Sequence, residues 1–398
     1  MKIIRLESKG FRSLKDICWE PNDLNIVIGP NGTGKSNLLR LLELISISAG
    51  GGLGKYVQSW GGMETLIWDG RLDGIDFKVK MSPVEEYRDP EKDSLTYELS
   101  MKRLGKTSSY KIVSEQLANY YSVETGRRSD PFKLIQRTAT RGLVFDEKER
   151  SLLAPEGSFS EEETLLSTAV GPFSHNRHIP PFRSQLTNWH VYHDLHVNRD
   201  AAIRQPVIAR LEKTVQPDGQ NLISVLHTLY TGDRDFEKEI NTAMQAAFGD
   251  DYEGLVFPPA ADQRIQLRVR WKSLQREQSA AELPDGMLRF LFLLTVLASP
   301  SPAAVIAIDE PETGLHPSML PIVAEYAVDV SSRAQVILTT HSPQLLDAFH
   351  DTKPAATVTK WSDGITKLKK VEGEELEYWL KEYSLGALFK SGELEDMG

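Results

Sequence analysis

The segment Gly29-Pro30-Asn31-Gly32-Thr33-Gly34-Lys35-Ser36 decides the fold of this chain. It matches in full the pattern G-x-x-x-x-G-K-[ST], a loop whose backbone N–H groups surround phosphate oxygens. The glycines permit this close approach because they carry no side chain. In such a loop the lysine reaches the β- and γ-phosphates of a nucleotide, and the hydroxyl of the last residue binds Mg²⁺. The segment therefore predicts a phosphate-binding loop with Lys35 and Ser36 in these roles.

The residues on both sides of this loop have the patterns that such a loop requires. Residues 24–28 are a short apolar run typical of a buried strand, and residues 37–42 suit a buried helix because they are apolar and lack helix breakers. Strand, glycine-rich loop and helix thus follow in the required order, which disfavours an accidental glycine turn. We therefore predict that Gly29 to Asn37 bind ATP, with Mg²⁺ as the accompanying ion.

A second motif, Asp309-Glu310, follows the apolar run at residues 305–308. A buried strand there would deliver Asp309 to the edge of a sheet, where its carboxylate can hold Mg²⁺ through water. Glu310 beside it can polarise the attacking water as a general base. A solvated pair of acids at a strand end is the plainer alternative, and the complete phosphate loop disfavours it.

A histidine follows the next apolar run, in the sequence Thr339-Thr340-His341-Ser342. A single histidine is usually structural. Because ligands of open α/β sheets gather at the carboxyl ends of parallel strands, a functional role is favoured here. We predict that His341 lies at the same sheet edge as Asp309, within reach of a γ-phosphate.

Composition narrows the class of protein. The 398 residues are 40% hydrophobic and 26% charged, which is enough for one large or two medium globular units. The longest apolar run, near residues 290–298, is far shorter than the roughly 20 residues that cross a bilayer, so we expect no membrane partner. The single cysteine, Cys18, fits a cytoplasmic protein. The net charge of −10 argues against general coating of nucleic acid and leaves a local basic strip open.

The two ends of the chain have α/β patterns and the middle has mixed ones. Toward the C-terminus the apolar periodicity predicts a helix at 287–298, a strand at 304–308, a helix at 318–331 and a strand at 335–339. We therefore predict an α/β fold in which a central α+β insertion splits a nucleotide-binding domain. Its parts are an N-terminal lobe at 1–80, an insertion or lid at 81–280 and a C-terminal lobe at 281–398.

Together these motifs resemble the ABC-type P-loop ATPases, specifically the RecF-like and OLD-like branch, the AAA-type ABC ATPases with a split nucleotide-binding domain. The segment Asp309-Glu310-Pro311-Glu312-Thr313-Gly314-Leu315-His316-Pro317 resembles that branch's extended Walker B motif. Gly10-Phe11-Arg12-Ser13-Leu14 resembles its first hairpin, and Leu283-Pro284-Asp285-Gly286-Met287 stands where the family has its signature loop. The similarity is close at both ends of the chain and loose in the middle, and Gln58 is the candidate for the family's Q-loop glutamine.

The resemblance implies a cytosolic ATPase that binds and hydrolyses ATP in a head-to-tail homodimer. It further implies control of a separate effector in genome maintenance or anti-phage defence, with DNA as a further candidate partner. We expect this effector to be a nuclease on another chain, because residues 342–398 are too few for the C-terminal TOPRIM nuclease domain of OLD relatives.

The signature loop departs from the family at one residue. By resemblance, Asp285 and Gly286 would contact the ATP bound by the partner copy. Pro284 replaces a serine whose hydroxyl reaches that γ-phosphate, and proline has neither a hydroxyl nor an N–H. The alternative function is therefore a nucleotide-gated DNA-binding or scaffold protein with negligible hydrolysis. The motor subunit of a membrane transporter also has such a phosphate loop, but it fits the long insertion poorly.

Two further patterns each allow a plain and a functional interpretation. Five histidines lie close together, namely His175, His178, His190, His193 and His196. Packing or surface roles are favoured over a metal site, because no cysteine or recognised ligand pattern accompanies them. Residues 264–272 alternate basic and apolar side chains with the period of a strand, and a solvated basic face is favoured over contact with a phosphate backbone.

Overall fold

The computed structural model describes residues 1–82, 94–105, 107–120, 131–155, 159–169, 176–193, 195–349, 352, 354–371 and 384–393. Within these ranges the strands are β1 (Ile3–Phe11), β2 (Leu14–Trp19), β3 (Leu24–Ile28), β4 (Gly74–Met81), β5 (Ser94–Arg103), β6 (Tyr110–Tyr120), β7 (Phe132–Thr138), β8 (Gly142–Asp146), β9 (Ser151–Leu153), β10 (Trp189–Tyr192), β11 (Val207–Ile208), β12 (Tyr252–Val256), β13 (Pro259–Ala260), β14 (Arg264–Ile265), β15 (Arg268–Trp271), β16 (Gln278–Ser279), β17 (Val305–Asp309), β18 (Gln335–Thr340), β19 (Ala355–Ser362) and β20 (Ile365–Val371). The α-helices are α1 (Lys35–Gly50), α2 (Leu53–Ser59), α3 (Met63–Leu66), α4 (Leu165–Thr168), α5 (Ile179–Thr187), α6 (Leu222–Gly232), α7 (Arg234–Phe248), α8 (Asp285–Leu297), α9 (Leu320–Ser331), α10 (Pro343–Asp347) and α11 (Leu385–Ser391).

A six-stranded sheet with the order β10–β17–β18–β3–β19–β20 forms the centre of the molecule. Neighbouring strands are parallel from β10 to β19, and only β20 is antiparallel to its neighbour. The apolar residues of β3 pack on both faces of the sheet. Leu24, Ile26 and Ile28 belong to the hydrophobic core on one face, and Val27 belongs to the core on the other. Since β3, β17 and β18 run in the same direction, their carboxyl ends meet at one edge of the sheet.

A second, eight-stranded antiparallel sheet has the order β2–β1–β4–β5–β6–β7–β8–β9. Helix α1 shares one hydrophobic core with this sheet and with one face of the parallel sheet. The helix is apolar on several sides, as expected for a helix that is covered by neighbours all round. Its fully buried side chains include Leu38, Leu39, Leu41, Leu42, Leu44 and Ile45. This packing fixes the helix whose first turn carries the phosphate-loop lysine.

The other face of the parallel sheet is covered mainly by helices. Side chains of α6, α7, α8 and α9 form a second core with Ile306, Ile308, Val336 and Leu338 of the sheet. Two small three-stranded sheets, β11–β14–β13 and β12–β15–β16, contribute to the same core. The parallel sheet therefore lies between two hydrophobic layers, which leaves its carboxyl edge to carry polar groups.

The structure confirms the predicted α/β class and the elements predicted from periodicity near the phosphate loop and toward the C-terminus. The strands at 24–28, 304–308 and 335–339 correspond to β3, β17 and β18 within one residue at each end. The helices at 287–298 and 318–331 correspond to α8 and α9, with small shifts at their ends. These elements could be predicted because each is a continuous apolar or amphipathic run.

The lobe boundaries at residues 80 and 280 stay a prediction, and the sheets show how the three segments share the fold. The antiparallel sheet takes β1, β2 and most of β4 from residues 1–80, and β5 to β9 from residues 81–280. Strand β10, also within 81–280, pairs in parallel with β17 of the third segment. The middle segment thus contributes strands to both large sheets.

The basic stretch at residues 264–272 forms two short strands, so the prediction of one continuous strand is wrong. The chain leaves one small sheet after β14 and enters another at β15. Ile265, Leu267 and Val269 do point inward, as their alternation predicts. Arg270 donates a hydrogen bond of 2.8 Å to Glu277, and Arg268 lies 3.8 Å from the same carboxylate. These ion pairs agree with a solvated face.

Candidate nucleotide-binding site

The phosphate loop connects β3 to α1, and its lysine side chain bonds to the backbone at the start of the loop. The Lys35 Nζ donates to the carbonyl oxygens of Gly29 at 2.8 Å and Pro30 at 3.2 Å, and the side chain is only 4% exposed. The Thr33 hydroxyl also donates to the Pro30 oxygen, at 2.8 Å. Burial lowers the pKa of Lys35, and the nearby carboxylates of Glu310, Asp309 and Glu312 partly oppose this. The loop therefore holds an ammonium group at its centre, where phosphates would bind.

Two loop glycines are required by their surroundings. Gly34 has a φ of 100°, in the left-handed region that favours glycine. A Cβ atom at Gly34 would collide with the hydroxyl of Thr366, and one at Gly29 would collide with the hydroxyl of Thr359. These threonines belong to β20 and β19, and Thr33 bonds to both of them: its Oγ1 lies 2.6 Å from Thr359 Oγ1, and its carbonyl accepts a 2.8 Å bond from Thr366. The two strands therefore brace the loop from behind.

We expect Gly34→Ala to lower the free energy of unfolding by about 1–3 kcal/mol more than Gly364→Ala does, because it adds a steric collision to the backbone strain. Gly364 is a matched control, since its φ is 76° and a Cβ atom there would meet open space. Denaturant unfolding of the two variants measures the difference. Equal losses of unfolding free energy in the two variants would show that Thr359 and Thr366 can move away from an added methyl group without a loss of stability.

Asp309 ends β17 and lies beside the first turn of α1. Its Oδ1 accepts a hydrogen bond of 2.5 Å from Thr339 Oγ1, and its Oδ2 lies 3.5 Å from Nδ1 of His193. Burial alone would raise the pKa of Asp309, but hydrogen bonds from His193, Thr339 and Ser36 outweigh burial and lower it. The carboxylate is therefore ionised at neutral pH and lies near the Ser36 hydroxyl.

This pair of oxygen groups fits the Mg²⁺ ion predicted for the site. Mg²⁺ binds oxygen, usually through one or two protein groups together with water and substrate phosphates. Ser36 and Asp309 supply one hydroxyl and one carboxylate close to each other. Over the described ranges, the structure has no group of three or more His, Cys, Asp or Glu side chains that could hold a metal by themselves. One hydroxyl and one carboxylate would leave the remaining positions around Mg²⁺ to water and phosphate oxygens.

Glu310 follows Asp309 in a strained backbone conformation. Its φ is 48°, and non-glycine residues in this region cost about 1–3 kcal/mol and cluster at functional sites. Its N–H donates to Thr339, to the carbonyl at 3.2 Å and to the hydroxyl at 3.1 Å. Its Oε1 lies 2.9 Å from His341 Nδ1 and 3.9 Å from Lys35 Nζ. The structure therefore brings together the phosphate loop, Asp309, Glu310 and His341, as their positions at strand ends predict.

His193 belongs to this cluster and was not assigned to it from the sequence. It follows β10, the parallel neighbour of β17, so it reaches the same sheet edge as Asp309. Its Nε2 lies 3.6 Å from Glu43 of α1. Burial alone would lower the pKa of His193, but the neighbouring carboxylates of Asp309 and Glu43 outweigh burial and raise it. The rule that selected His341, a polar residue after an apolar parallel strand, also applies to His193.

The other described histidines lie outside this cluster. His190 packs on Tyr192 and bonds to the carbonyl of Val215 at 3.1 Å, while His178 lies 3.8 Å from Glu147. His196 is exposed, and His175 lies outside the described residues. These separate surroundings agree with the packing and surface roles favoured from the sequence.

Asp285 and Gly286 form the first turn of α8, directly after the N-cap residue Pro284. The Asp285 carboxylate is paired with Arg204, a buried arginine that also donates to the carbonyls of Val197 at 2.7 Å and Leu283 at 2.8 Å. A Cβ atom on Gly286 would lie 2.7 Å from the carbonyl oxygen of Gly314. Arg204 thus fixes the signature loop, although its sequence context gave no indication of this.

Other residues named from the sequence occupy surface or supporting positions. Gln58 is exposed on α2. Asn37, in the first turn of α1, donates to the Ser13 hydroxyl at 2.7 Å and accepts from Arg12 at 3.3 Å, so the first hairpin holds the start of this helix. Arg12 and Arg40 each stack on Trp60, at 4.5 Å and 4.3 Å from the ring centre.

Comparison with known proteins agrees with this architecture. A family model described as "AAA domain, putative AbiEii toxin, Type IV TA system" matches residues 24–347. Among curated proteins, an OLD nuclease from Thermus scotoductus is 21% identical over 350 residues, which are 86% of this chain and 59% of that protein. The chain therefore spans less than two thirds of the length of this relative.

Two solved structures of SMC heads share the fold. One is an SMC head bound to the C-winged helix domain of ScpA, with a TM-score of 0.54, 13% identity, and coverage of 95% of this chain and 100% of that one. The other is an SMC head domain with an extended coiled coil bound to the C-terminal domain of ScpA, derived from Pyrococcus furiosus, with a TM-score of 0.52, 12% identity, and coverage of 96% and 99%. At these identities the likeness concerns the fold alone. Among the described helices, none is both long and apolar enough to cross a membrane.

Proposed function

The chain belongs to the AAA-domain family whose model matches residues 24–347, and from this premise we propose that it hydrolyses ATP in a head-to-tail dimer and thereby controls a separate effector. The observation that carries the hydrolysis is one cluster. The Glu310 carboxylate lies 3.9 Å from the phosphate-loop ammonium of Lys35 and 2.9 Å from His341. A base, a phosphate-binding cation and a second polar group thus share one sheet edge, which is the arrangement that hydrolysis of a bound γ-phosphate requires.

Each residue of the cluster has a proposed task. Lys35 and the N–H groups of the loop hold the phosphates, while Ser36 and Asp309 hold Mg²⁺, which neutralises phosphate charge when bound. Glu310 accepts the proton of the attacking water. His341 keeps the Glu310 carboxylate in place through its Nδ1 and faces the γ-phosphate. The strained backbone of Glu310 supports this assignment, because strain of this kind is retained mainly where function needs it.

The proposal of a dimer rests on the position of the signature loop. The Asp285 side chain is 66% exposed at the N-terminus of α8, so the start of this helix is accessible to a second copy of the chain. A second copy placed head to tail would bring this exposed helix start to the other nucleotide, where unpaired N–H groups favour phosphate. Asp285 and Gly286 would then complete the site in the partner.

We propose a nuclease as the effector and nucleic acid as its substrate, in genome maintenance or anti-phage defence. The relative from Thermus scotoductus is named as an OLD nuclease. The SMC head in one related fold is bound to a domain of another protein, ScpA, which supports an ATPase of this architecture accepting a protein partner. The free, exposed Cys18 supports a cytoplasmic location as part of the same proposal.

A second candidate function is a nucleotide-gated DNA-binding or scaffold protein that hydrolyses little ATP. Pro284 favours it. This residue occupies the N-cap of α8, where it makes no side-chain hydrogen bond. It therefore cannot offer a partner's γ-phosphate the hydroxyl that the signature serine supplies in the related ATPases.

Phosphate release by the purified chain with Mg-ATP, alone and with duplex or single-stranded DNA, distinguishes these two functions. We expect phosphate release that requires Mg²⁺. The rate per chain should increase with protein concentration, because the proposed active unit is a dimer. The scaffold function predicts no release, together with ATP-dependent retention of DNA that weakens as salt increases.

The effector proposal has its own measurement. A nuclease that co-purifies with the chain should cut DNA at a rate that changes when ATP is replaced by a non-hydrolysable analogue, and a rate that ignores the nucleotide would reject it.

A further inference from the structure

Glu312 is a buried acid close to the cluster, and the proposed hydrolysis does not use it. Its side chain is 9% exposed, in the turn that follows Glu310. Acids are almost never this buried unless they are paired. Burial raises the pKa of Glu312, because the ionised form loses hydration at this position. The hydrogen bonds of Glu312 therefore decide what this side chain does.

The contacts of Glu312 connect the turn after β17 to the turn after β18. Its Oε1 accepts a hydrogen bond of 2.5 Å from the hydroxyl of Thr340 and one of 3.4 Å from the backbone N–H of His341. The Thr340 hydroxyl in turn accepts from the N–H of Ser342 at 2.9 Å. One carboxylate oxygen therefore fixes both sides of the His341 backbone, directly on its N–H and through Thr340 on the following residue.

The imidazole of His341 depends on this fixed backbone. His341 Nδ1 lies 2.9 Å from Glu310 Oε1 and 3.8 Å from Glu312 Oε1, so the ring bonds to Glu310 and passes beside Glu312. The His341 side chain is 43% exposed, and surrounding atoms alone do not confine a ring that is this open. A rotation of the turn would move Nδ1 away from Glu310 while leaving the sheet intact.

We propose that Glu312 is a positioning residue, which fixes the backbone of His341 and so directs its imidazole to Glu310 beside the γ-phosphate. This inference rests on the proposed role of His341. The positioning role of Glu312 requires an acceptor oxygen at the position of Oε1, but it does not require the negative charge of the carboxylate. Oε2 is buried and has no hydrogen-bond partner among the described residues, so an amide nitrogen in its place would break no contact there.

The test measures kcat and KM for ATP in Glu312→Ala, His341→Ala and the double variant, with Glu325→Ala on the exposed face of α9 as the control. We expect each single change to lower kcat by a similar factor, about 10-fold to 100-fold, with little change in KM. The kcat of the double variant should lie within about 2-fold of the kcat of the slower single variant, because the effects of residues that act through one another do not add. Glu312→Gln, which keeps the acceptor oxygen, should recover most of the lost rate.

The outcomes separate this inference from the proposed function. If the factors of Glu312→Ala and His341→Ala multiply in the double variant, or if Glu312→Gln is as slow as Glu312→Ala, the positioning role is wrong while the role of His341 stands. If His341→Ala keeps its full rate, the proposed role of His341 is wrong and this inference fails with it. Should Glu312→Ala fail to fold, Thr340→Val removes the hydroxyl with little change in volume. It should lower kcat in the same manner, and an unchanged rate would overturn the inference.

Discussion

Replacing Glu310 by glutamine is expected to lower the rate of ATP hydrolysis by about 10²-fold to 10⁴-fold, the contribution typical of a general base. An amide has almost the same shape as the carboxylate but cannot accept the proton of the attacking water. Because Lys35, Ser36 and Asp309 remain in place, the variant should bind ATP as tightly as the unchanged chain. The nucleotide would then stay intact, and the proposed dimer should accumulate. Phosphate release and sedimentation in the presence of Mg-ATP measure the two effects.

Glu325→Gln is the matched control for this experiment. Glu325 is exposed on α9, so the same chemical change there leaves the site untouched. A Glu310→Gln variant that hydrolyses ATP at the rate of the control would remove Glu310 from the role of base. Loss of hydrolysis without accumulation of a dimer would retain the base and reject the dimer.

Lys35→Ala is expected to lower the hydrolysis rate by about 10²-fold to 10³-fold, the usual cost of removing one preorganised group that stabilises transition-state charge. The structure gives two reasons. The ammonium is the cation that the loop encloses, bonded to the carbonyls of Gly29 and Pro30. It also partly neutralises the carboxylates at the sheet edge, which would otherwise repel a nucleotide. Nucleotide binding should therefore weaken together with the rate.

Equilibrium binding of a fluorescent ATP analogue and phosphate release measure these two losses. Lys55→Ala is a suitable control, because Lys55 is an exposed lysine on the short helix α2 that follows α1. Binding and turnover at the level of this control would show that the loop does not hold the nucleotide through Lys35.

The phosphate loop, β17 and β18 could be predicted because each is encoded by a continuous stretch of residues. The resemblance to RecF-like and OLD-like ATPases, drawn from those stretches, is confirmed by the family match and by the OLD nuclease relative. The meeting of Asp309 and His341 at one edge followed from the rule that parallel strands end together. The catalytic and binding roles of these residues stay predictions until the variants are measured.

The residues that escaped prediction act through contacts between distant parts of the chain. Arg204 reaches the signature loop from a 3₁₀ turn after β10, and its role depends on a buried path that no local pattern encodes. His193 is different, since its position after an apolar strand was a usable signal that the dense group of histidines obscured. The prediction of one strand at 264–272 is wrong because alternation predicts which side chains point inward, but not where the chain passes from one sheet to another.

The bracing of the phosphate loop by β19 and β20 has a consequence for how the protein is made. Thr359 and Thr366 contact a loop that lies near the start of the chain, and β3 pairs with both β18 and β19. A ribosome that has released only the N-terminal half has therefore released the loop without its neighbouring strands or its brace. We therefore expect the proposed nucleotide binding to be gained late in synthesis, after β20 has emerged and paired. On this expectation a growing chain would acquire affinity for ATP only when Asp309, Glu310 and His341 are already in place.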